Sequence, residues 1–315
     1  MPQRIAIHTF LIALLACSGF LLFASGAVAA PTTMPLAAVR TFMYQLQNLE
    51  DPRALDALAQ SPYDMLVVEP TATTSDNAGF DMKAMVNRLH AGRPGRIVLG
   101  YLDAAQAGTF RTYWEKTWIA PTRTAHGSPA FLISPDPDGW SGDFPVAYWD
   151  RNWQDIIAAG PDSQVKRLMR AGFDGLYLDW IDAWDFDPVV AEAKKQHVDP
   201  ARAMVDFLSL IRTTARALNP DALVVQQNAY TLLDADPRLL NAIDALGVED
   251  TWFSGKADAK WGSKGDGDVA NKEKDADSTA ARLKQYEKFL AAGKPVFTID
   301  YCVNPANAAV VYSQA

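Results

Sequence analysis

Apolar positions along the chain fall into two alternating patterns. Short unbroken apolar runs occur at 42–46, 65–68, 97–101, 175–178, 222–226, 245–248 and 296–299. Runs of this length read as strands buried on both faces, the habit of a parallel sheet covered by helices. Between them lie stretches with helical spacing. One covers 201–218, with Asp199 as cap and Pro200 at the first helical position, and another covers 278–292, closed by Gly293. Strand and helix alternate, which predicts an α/β fold. At this length a closed (β/α)8 TIM barrel is expected ahead of an open doubly wound sheet. No glycine-rich dinucleotide or phosphate loop follows any of the runs. After Ile299 only Asp300–Ala315 remain, enough for a loop and a short helix, so the barrel is expected to have an incomplete C-terminal strand.

The first thirty residues stand outside this pattern. Arg4 precedes an apolar run from Ile5 to Phe23, followed by small residues from Ala24 to Ala30. That is the layout of a secretory signal peptide, with cleavage after Ala29 or Ala30. The alternatives are an uncleaved anchor and a loose lipoprotein box at Leu14–Cys17. The expected organisation is a signal peptide over 1–30 and one catalytic domain over 31–315, secreted or periplasmic, monomeric, with no membrane span in the mature chain. Loss of Arg4 moves the formal charge from −8 to −9. So acidic a surface repels phosphate backbones and excludes nucleic acid as a natural partner, while favouring neutral or cationic ligands. Cys17 leaves with the signal, so Cys302 is alone and an intramolecular disulfide is excluded.

Two stretches exceed ordinary loop length: 104–150, rich in Trp, Pro and Gly, and 254–279, rich in Lys, Asp and Gly. Both follow strands, and in a barrel the loops after strands build the catalytic face. The aromatic content of the first suggests a substrate groove; for the second, groove and surface decoration stand equal.

Three runs end in acid. Asp179 follows Leu178 directly, Glu249 and Asp250 follow Val248, and Asp300 follows Ile299; aromatic residues come at once or shortly after at Trp180, Trp252 and Tyr301. A carboxylate leaving a barrel strand faces substrate more often than solvent, although a helix cap is the plainer explanation for any single one. Other chemistries find little support. His90, His126 and His197 lie away from strand ends and lack metal-ligand spacing, no Gly-x-Ser-x-Gly elbow occurs, and Cys302 has no convincing histidine partner. Neither a metal nor a cofactor is expected. Paired carboxylates are what glycoside hydrolysis requires, one as acid or base and one as nucleophile or base. Trp180, Trp184, Trp252 and Tyr301 then serve as stacking surfaces for sugar or as core.

The segments Phe42–Gln47, Tyr63–Val68, Tyr101-Leu102, Arg111–Trp114, Val146–Asp150 with Trp153, and Gly172–Asp179 together resemble glycoside hydrolase family 114, in order, from about residue 40 to 301. The resemblance implies a (β/α)8 barrel that cleaves α-1,4-linked galactosamine-containing exopolysaccharide internally and with retention. Position by position it implies Asp179 on the fourth strand as nucleophile and Glu249 on the sixth as general acid/base. Tyr44, Tyr101, Trp180, Asp182, Trp252, Asp300 and Tyr301 are the expected substrate-binding residues. One departure weakens the expectation of a charged sugar. Where the family commonly has a Gly-Glu-Ala-Glu segment after Tyr-Leu, this chain has Ala105-Gln106-Ala107-Gly108. A non-catalytic carbohydrate-binding or exopolysaccharide-associated barrel, or a hydrolase of another polysaccharide, are the alternatives.

Overall fold

The computed structural model describes residues 33–71, 80–256, 259, 262–272 and 277–315; the segment read as a signal peptide lies outside them. Seven parallel strands make one curled sheet in sequence order: β1 Phe42–Gln45, β2 Met65–Val68, β3 Ile97–Asp103, β4 Gly175–Asp179, β5 Leu223–Gln227, β6 Ala245–Glu249 and β7 Val296–Ile299. All seven expected runs are strands. Four extend beyond the expected runs, to Asp103 in β3, Asp179 in β4, Gln227 in β5 and Glu249 in β6. Among the described residues no eighth strand joins the sheet, and β1 and β7 are not hydrogen-bonded neighbours. The rings of Phe42 and Phe297 meet edge-on at 5.8 Å instead, so side chains bridge the edge strands where a ladder is missing.

The alternation of side chains along each strand sorts the core into two compartments. Met65, Val67, Ile97, Leu99, Tyr177, Val225, Ala245 and Phe297 face one another inside the curl, sealed below by Leu36 and Val39. Leu66, Val68, Val98, Leu176, Leu178, Val224, Leu246 and Val248 face outward against the helices. Both faces of the central strands are thus dry, which is why their runs are unbroken rather than alternating, while the edge strands β1 and β7 are only partly buried. Gly247 is required inside: a Cβ there would stand 2.3 Å from the Tyr177 hydroxyl. Among the described residues no helix is long and apolar enough to cross a membrane.

Acids at the bases of strands have a structural task. Asp64, Asp174 and Asp244 each sit one residue before a strand and accept hydrogen bonds from the start of the preceding neighbour. Asp64 Oδ2 takes Arg40 N–H at 2.9 Å, Asp174 Oδ2 takes Val98 N–H at 2.7 Å, and Asp244 Oδ2 takes Val224 N–H at 2.9 Å. Each is also paired with a basic side chain: Arg93, His90, and Arg212 with Arg216, respectively. These contacts set strand register at the closed end of the barrel. Helix starts are equally explicit. Asp51, Asp81, Ser163, Asp199 and Ser278 each accept a hydrogen bond from a first-turn N–H, worth about 1 kcal/mol apiece.

The helices α1 (Pro52–Gln60) and α2 (Met82–Gly92) are tied by Arg96, which is 1% exposed. Its guanidinium donates to the carbonyls of Leu58, Ala59 and Leu89 at the helix ends, and also to Tyr63 and Ser61. A cation at two helix C-termini gains from both dipoles as well as satisfying carbonyls that helices leave unpaired. Arg96→Met is expected to lower unfolding free energy by about 3 kcal/mol or more in a denaturant titration, since several buried carbonyls lose their donor. Gly247→Ala is expected to cost about 1–3 kcal/mol and to displace Tyr177, read by the same titration and by near-ultraviolet circular dichroism.

Candidate active site

The period-two rule that sorts the core also aims the polar residues at the upper strand ends. Continuing the inward positions upward brings Asp103 on β3, Asp179 on β4, Gln227 on β5 and Glu249 on β6 to one mouth. Asp103 and Asp179 are register partners on adjacent strands. Gln227, on the strand between Asp179 and Glu249, is the register partner of Gly247. Asp179 and Glu249 therefore lie at the same end of the sheet, on its inner face, close enough for the charge of Glu249 to raise the Asp179 carboxyl.

Asp179 is held through both oxygens. Its Oδ2 accepts from the Tyr101 hydroxyl at 2.6 Å and its Oδ1 from Trp180 N–H at 2.6 Å. Burial pushes its carboxyl up to about 6, helped by the charge of Glu249 and opposed by the Tyr101 and Trp180 hydrogen bonds. Glu249 is surrounded by neutral donors. Gln227 Nε2 at 2.7 Å and Asn228 Nδ2 at 3.0 Å reach Oε2, and the Tyr301 hydroxyl at 2.8 Å reaches Oε1. Tyr44 donates to Gln227 Oε1 at 3.2 Å, so the amide is oriented from behind and its NH2 group must face the carboxylate. Below the two acids lies Tyr177, fully buried, with a hydroxyl that has no hydrogen-bond partner among the described residues.

The backbone is strained where the acids leave their strands. Trp180, Asn228 and Asp250, each following the last residue of β4, β5 or β6, have φ of 60°, 51° and 57°. Such non-glycine conformations cost about 1–3 kcal/mol each and persist only when surroundings over-determine them. Here Asp182 Oδ1 accepts from Ala229 N–H at 3.0 Å, and Asp250 N–H donates to Ile299 O at 2.9 Å. Asp182, pressed by burial and by Asp179, is pushed up to about 7.

The other expected binding residues divide. Tyr44, Tyr101, Asp182 and Tyr301 belong to the mouth, in contact with the acids or their immediate partners. Asp300 spends one oxygen on the N–H groups of Trp252 and Phe253 at 2.6 and 2.8 Å, pinning the turn after β6, while its other oxygen is buried without a partner among the described residues. Trp252 is 8% exposed and Trp180 and Trp184 pack on the helical core, Trp180 edge-on to Phe186 at 5.8 Å. These indoles present limited surface to a ligand. The Cys302 thiol is pushed up to about 11 by burial and then by Asp300, which makes it a poor nucleophile.

Several site residues escaped the sequence reading. Asp103 lies past the apolar run that stops at Tyr101, and the inward alternation of Tyr101 and Asp103 is the signal that marks it. Its carboxyl is raised well above the usual range by burial, then by the charges of Asp179 and Asp143. Gln227 and Asn228 carried no signal, being amides at the end of an apolar run. The long excursion after β3 supplies further acids. Gln106–Gly108 pairs antiparallel with Asp143–Pro145, which delivers Asp143, pushed up to about 7, and Asp136, whose Oδ2 accepts from Gln106 Nε2 at 2.5 Å. The same excursion sends in Arg111, which grips Glu69 bidentately at 2.5 and 3.0 Å, with side-chain exposures of 13% and 2%. Acids missing from the Ala105–Gly108 segment therefore have counterparts from Asp103, Asp136 and Asp143. Among the described residues no group of three or more His, Cys, Asp or Glu is arranged to hold a metal ion.

Comparison with known proteins places the chain in a family. The family model of glycoside-hydrolase family GH114 matches residues 24–315. An uncharacterized protein of Deinococcus radiodurans is 35% identical over 285 residues, 89% of this chain and 79% of the relative. Two solved structures share the fold. The Aspergillus fumigatus Ega3 complex with galactosamine aligns with TM-score 0.55 and 17% identity over 85% of this chain and 79% of that one. The glycoside hydrolase domain of PelA from Pseudomonas aeruginosa aligns with TM-score 0.56 and 16% identity over 83% and 84%. The chain belongs to glycoside-hydrolase family GH114 and is an O-glycosyl hydrolase of the TIM-barrel type.

Proposed function

We propose that the protein is an exported hydrolase of α-1,4-linked galactosamine-containing polysaccharide, acting with retention through Asp179 as nucleophile and Glu249 as general acid/base. The observation that carries this reading is the pairing of the two carboxylates at one mouth, each fixed by its own donors. In the first step an Asp179 oxygen attacks the anomeric carbon while protonated Glu249 gives its proton to the departing glycosidic oxygen. In the second, Glu249 takes a proton from water as that water displaces Asp179 from the sugar. Tyr101 keeps the attacking carboxylate oriented, and Gln227, Asn228 and Tyr301 stabilise Glu249 whenever it is charged.

Charge supports an amino sugar. Arg111 is neutralised by Glu69, leaving Asp103, Asp143, Asp179, Asp182 and Glu249 around the mouth. A cationic sugar relieves this crowding, and the solved Ega3 complex contains galactosamine. De-N-acetylated polymer is therefore the expected substrate.

Asp179→Asn and Glu249→Gln are each expected to lower kcat on galactosamine polymer at least about a thousandfold, measured as reducing ends released. Proton NMR of the first product is expected to show the α anomer; initial release of the β anomer would overturn retention. A wild type that releases no sugar from any galactosamine polymer would remove the reading altogether.

Raised carboxyls also predict a pH dependence of stability. Asp143, Asp179 and Asp182 bind protons more tightly folded than unfolded, so folding gains stability as pH falls from about 7.5 toward 5. The gain is complete once pH lies below the ordinary carboxylate range. The expected Tm rises over that interval, and Asp179→Asn raises Tm at pH 7.5 while flattening the rise. A Tm falling monotonically from pH 7.5 to 5 would contradict the crowding argument.

A further inference from the structure

The excursion over 104–150 carries four tryptophans, and three have structural partners. Trp114 and Trp118 lie 5.1 Å apart, ring to ring, and contact Phe144 and Phe131 respectively. Trp149 packs on Tyr148 at 5.0 Å and donates its N–H to Gln196. This small aromatic core holds the excursion against Trp153 and the main core. The aromatic content that suggested a groove is therefore used mainly to anchor the loop.

Trp140 is different. It is 45% exposed and stands on a turn between Gly139 and Gly142, whose φ values of 94° and 96° let the chain reverse tightly. The turn is nonetheless fixed. Trp140 N–H donates to Asp136 Oδ1 at 3.0 Å, and Asp136 N–H donates to Asp143 O at 3.1 Å. The second oxygen of Asp136 is bound by Gln106, so the turn is tied directly to the extension of β3. It is close enough to the mouth for the charge of Asp136 to raise Asp179. Asp138 is exposed beside it. An open indole on a turn with a fixed backbone, rimmed by carboxylates and tied through Asp136 and Gln106 toward a glycosidase mouth, matches the two surfaces of an amino sugar: an apolar ring face and an ammonium group.

Resting on the reading of the mouth given above, we propose that the turn over residues 135–142 is a distal sugar subsite. Trp140 stacks on a galactosamine ring outside the reacting pair, and Asp136 and Asp138 attract its ammonium. Chain length is then recognised by the excursion rather than by the catalytic acids. The subsite favours long, de-N-acetylated polymer over short oligomers.

The test uses galactosamine oligosaccharides of two to eight units. Trp140→Ala is expected to raise KM for the octamer about five- to tenfold relative to KM for the dimer, with kcat on the octamer changed less than twofold. Trp140→Phe, which keeps a stacking face, should restore most of the loss. Asp138→Asn should weaken the de-N-acetylated octamer but not its N-acetylated form. A parallel calorimetric titration of the octamer into Asp179→Asn, with and without Trp140→Ala, reads binding apart from turnover. A loss of affinity there, with no hydrolysis by the wild type, would support the subsite while overturning the hydrolase reading. Equal effects of Trp140→Ala at every chain length, or none at any, would overturn the subsite while leaving hydrolysis intact.

Discussion

Two carboxylates held at one partly dry mouth are the constraint around which this molecule is organised. Like charges crowded together repel, and burial adds to that cost, so the Asp179 carboxyl is raised. The fold meets it with donors rather than cations. Tyr101 and Trp180 N–H serve Asp179, while Gln227, Asn228 and Tyr301 serve Glu249; Arg111 is committed to Glu69, and Arg282 donates to the Glu249 backbone carbonyl rather than to its carboxylate. Neutral donors stabilise charge without satisfying it, which keeps the acids reactive and leaves a negative potential for ligand. Positive φ at Trp180, Asn228 and Asp250 is the backbone side of the same arrangement. The chain turns at once after each strand, so the terminal acid or amide is presented upward instead of being carried away.

Acids at the two ends of the barrel do opposite work. At the closed end Asp64, Asp174 and Asp244 are fully engaged by backbone N–H groups and basic partners, and they set register. Asp64 and Asp174 belong to the very segments, Tyr63–Val68 and Gly172–Asp179, that carry the family resemblance. Part of that signature thus marks the construction of the barrel and part its chemistry. Because the strands are only four to seven residues long, a single motif such as Asp174–Asp179 holds one acid of each kind, separated by the length of the sheet.

The excursion after β3 both anchors itself on the core and carries acids to the mouth. Its aromatic residues form a satellite core, its Arg111 clamps β2, and its returning strand brings Asp143 to the rim. Substitution of the family's acids by Gln106 and Gly108 consequently leaves the mouth acidic. Gln106 instead becomes a hydrogen-bond donor to Asp136, which joins the rim to the strand.

What the sequence determined by itself is what depends on local, periodic physics. Unbroken apolar runs marked all seven strands, caps such as Asp199 and Ser278 marked helix starts, and acids following Leu178 and Val248 marked the two residues at the centre of the mouth. The Phe42–Phe297 contact across the edge strands carried no signal in the sequence. Tertiary structure alone decided which polar residues meet. Gln227 and Asn228 look like any amides at a strand end until β6 brings Glu249 beside them, and Asp103 becomes a site residue only through its register with Asp179. The indoles of Trp180, Trp184 and Trp252 were equally readable as stacking surfaces or core, and the packing around each turned them mostly inward while leaving Trp140 open. The physical reason is range: burial periodicity and capping act within a few residues along the chain, whereas charge crowding, donor placement and exposure depend on neighbours tens to more than a hundred residues away.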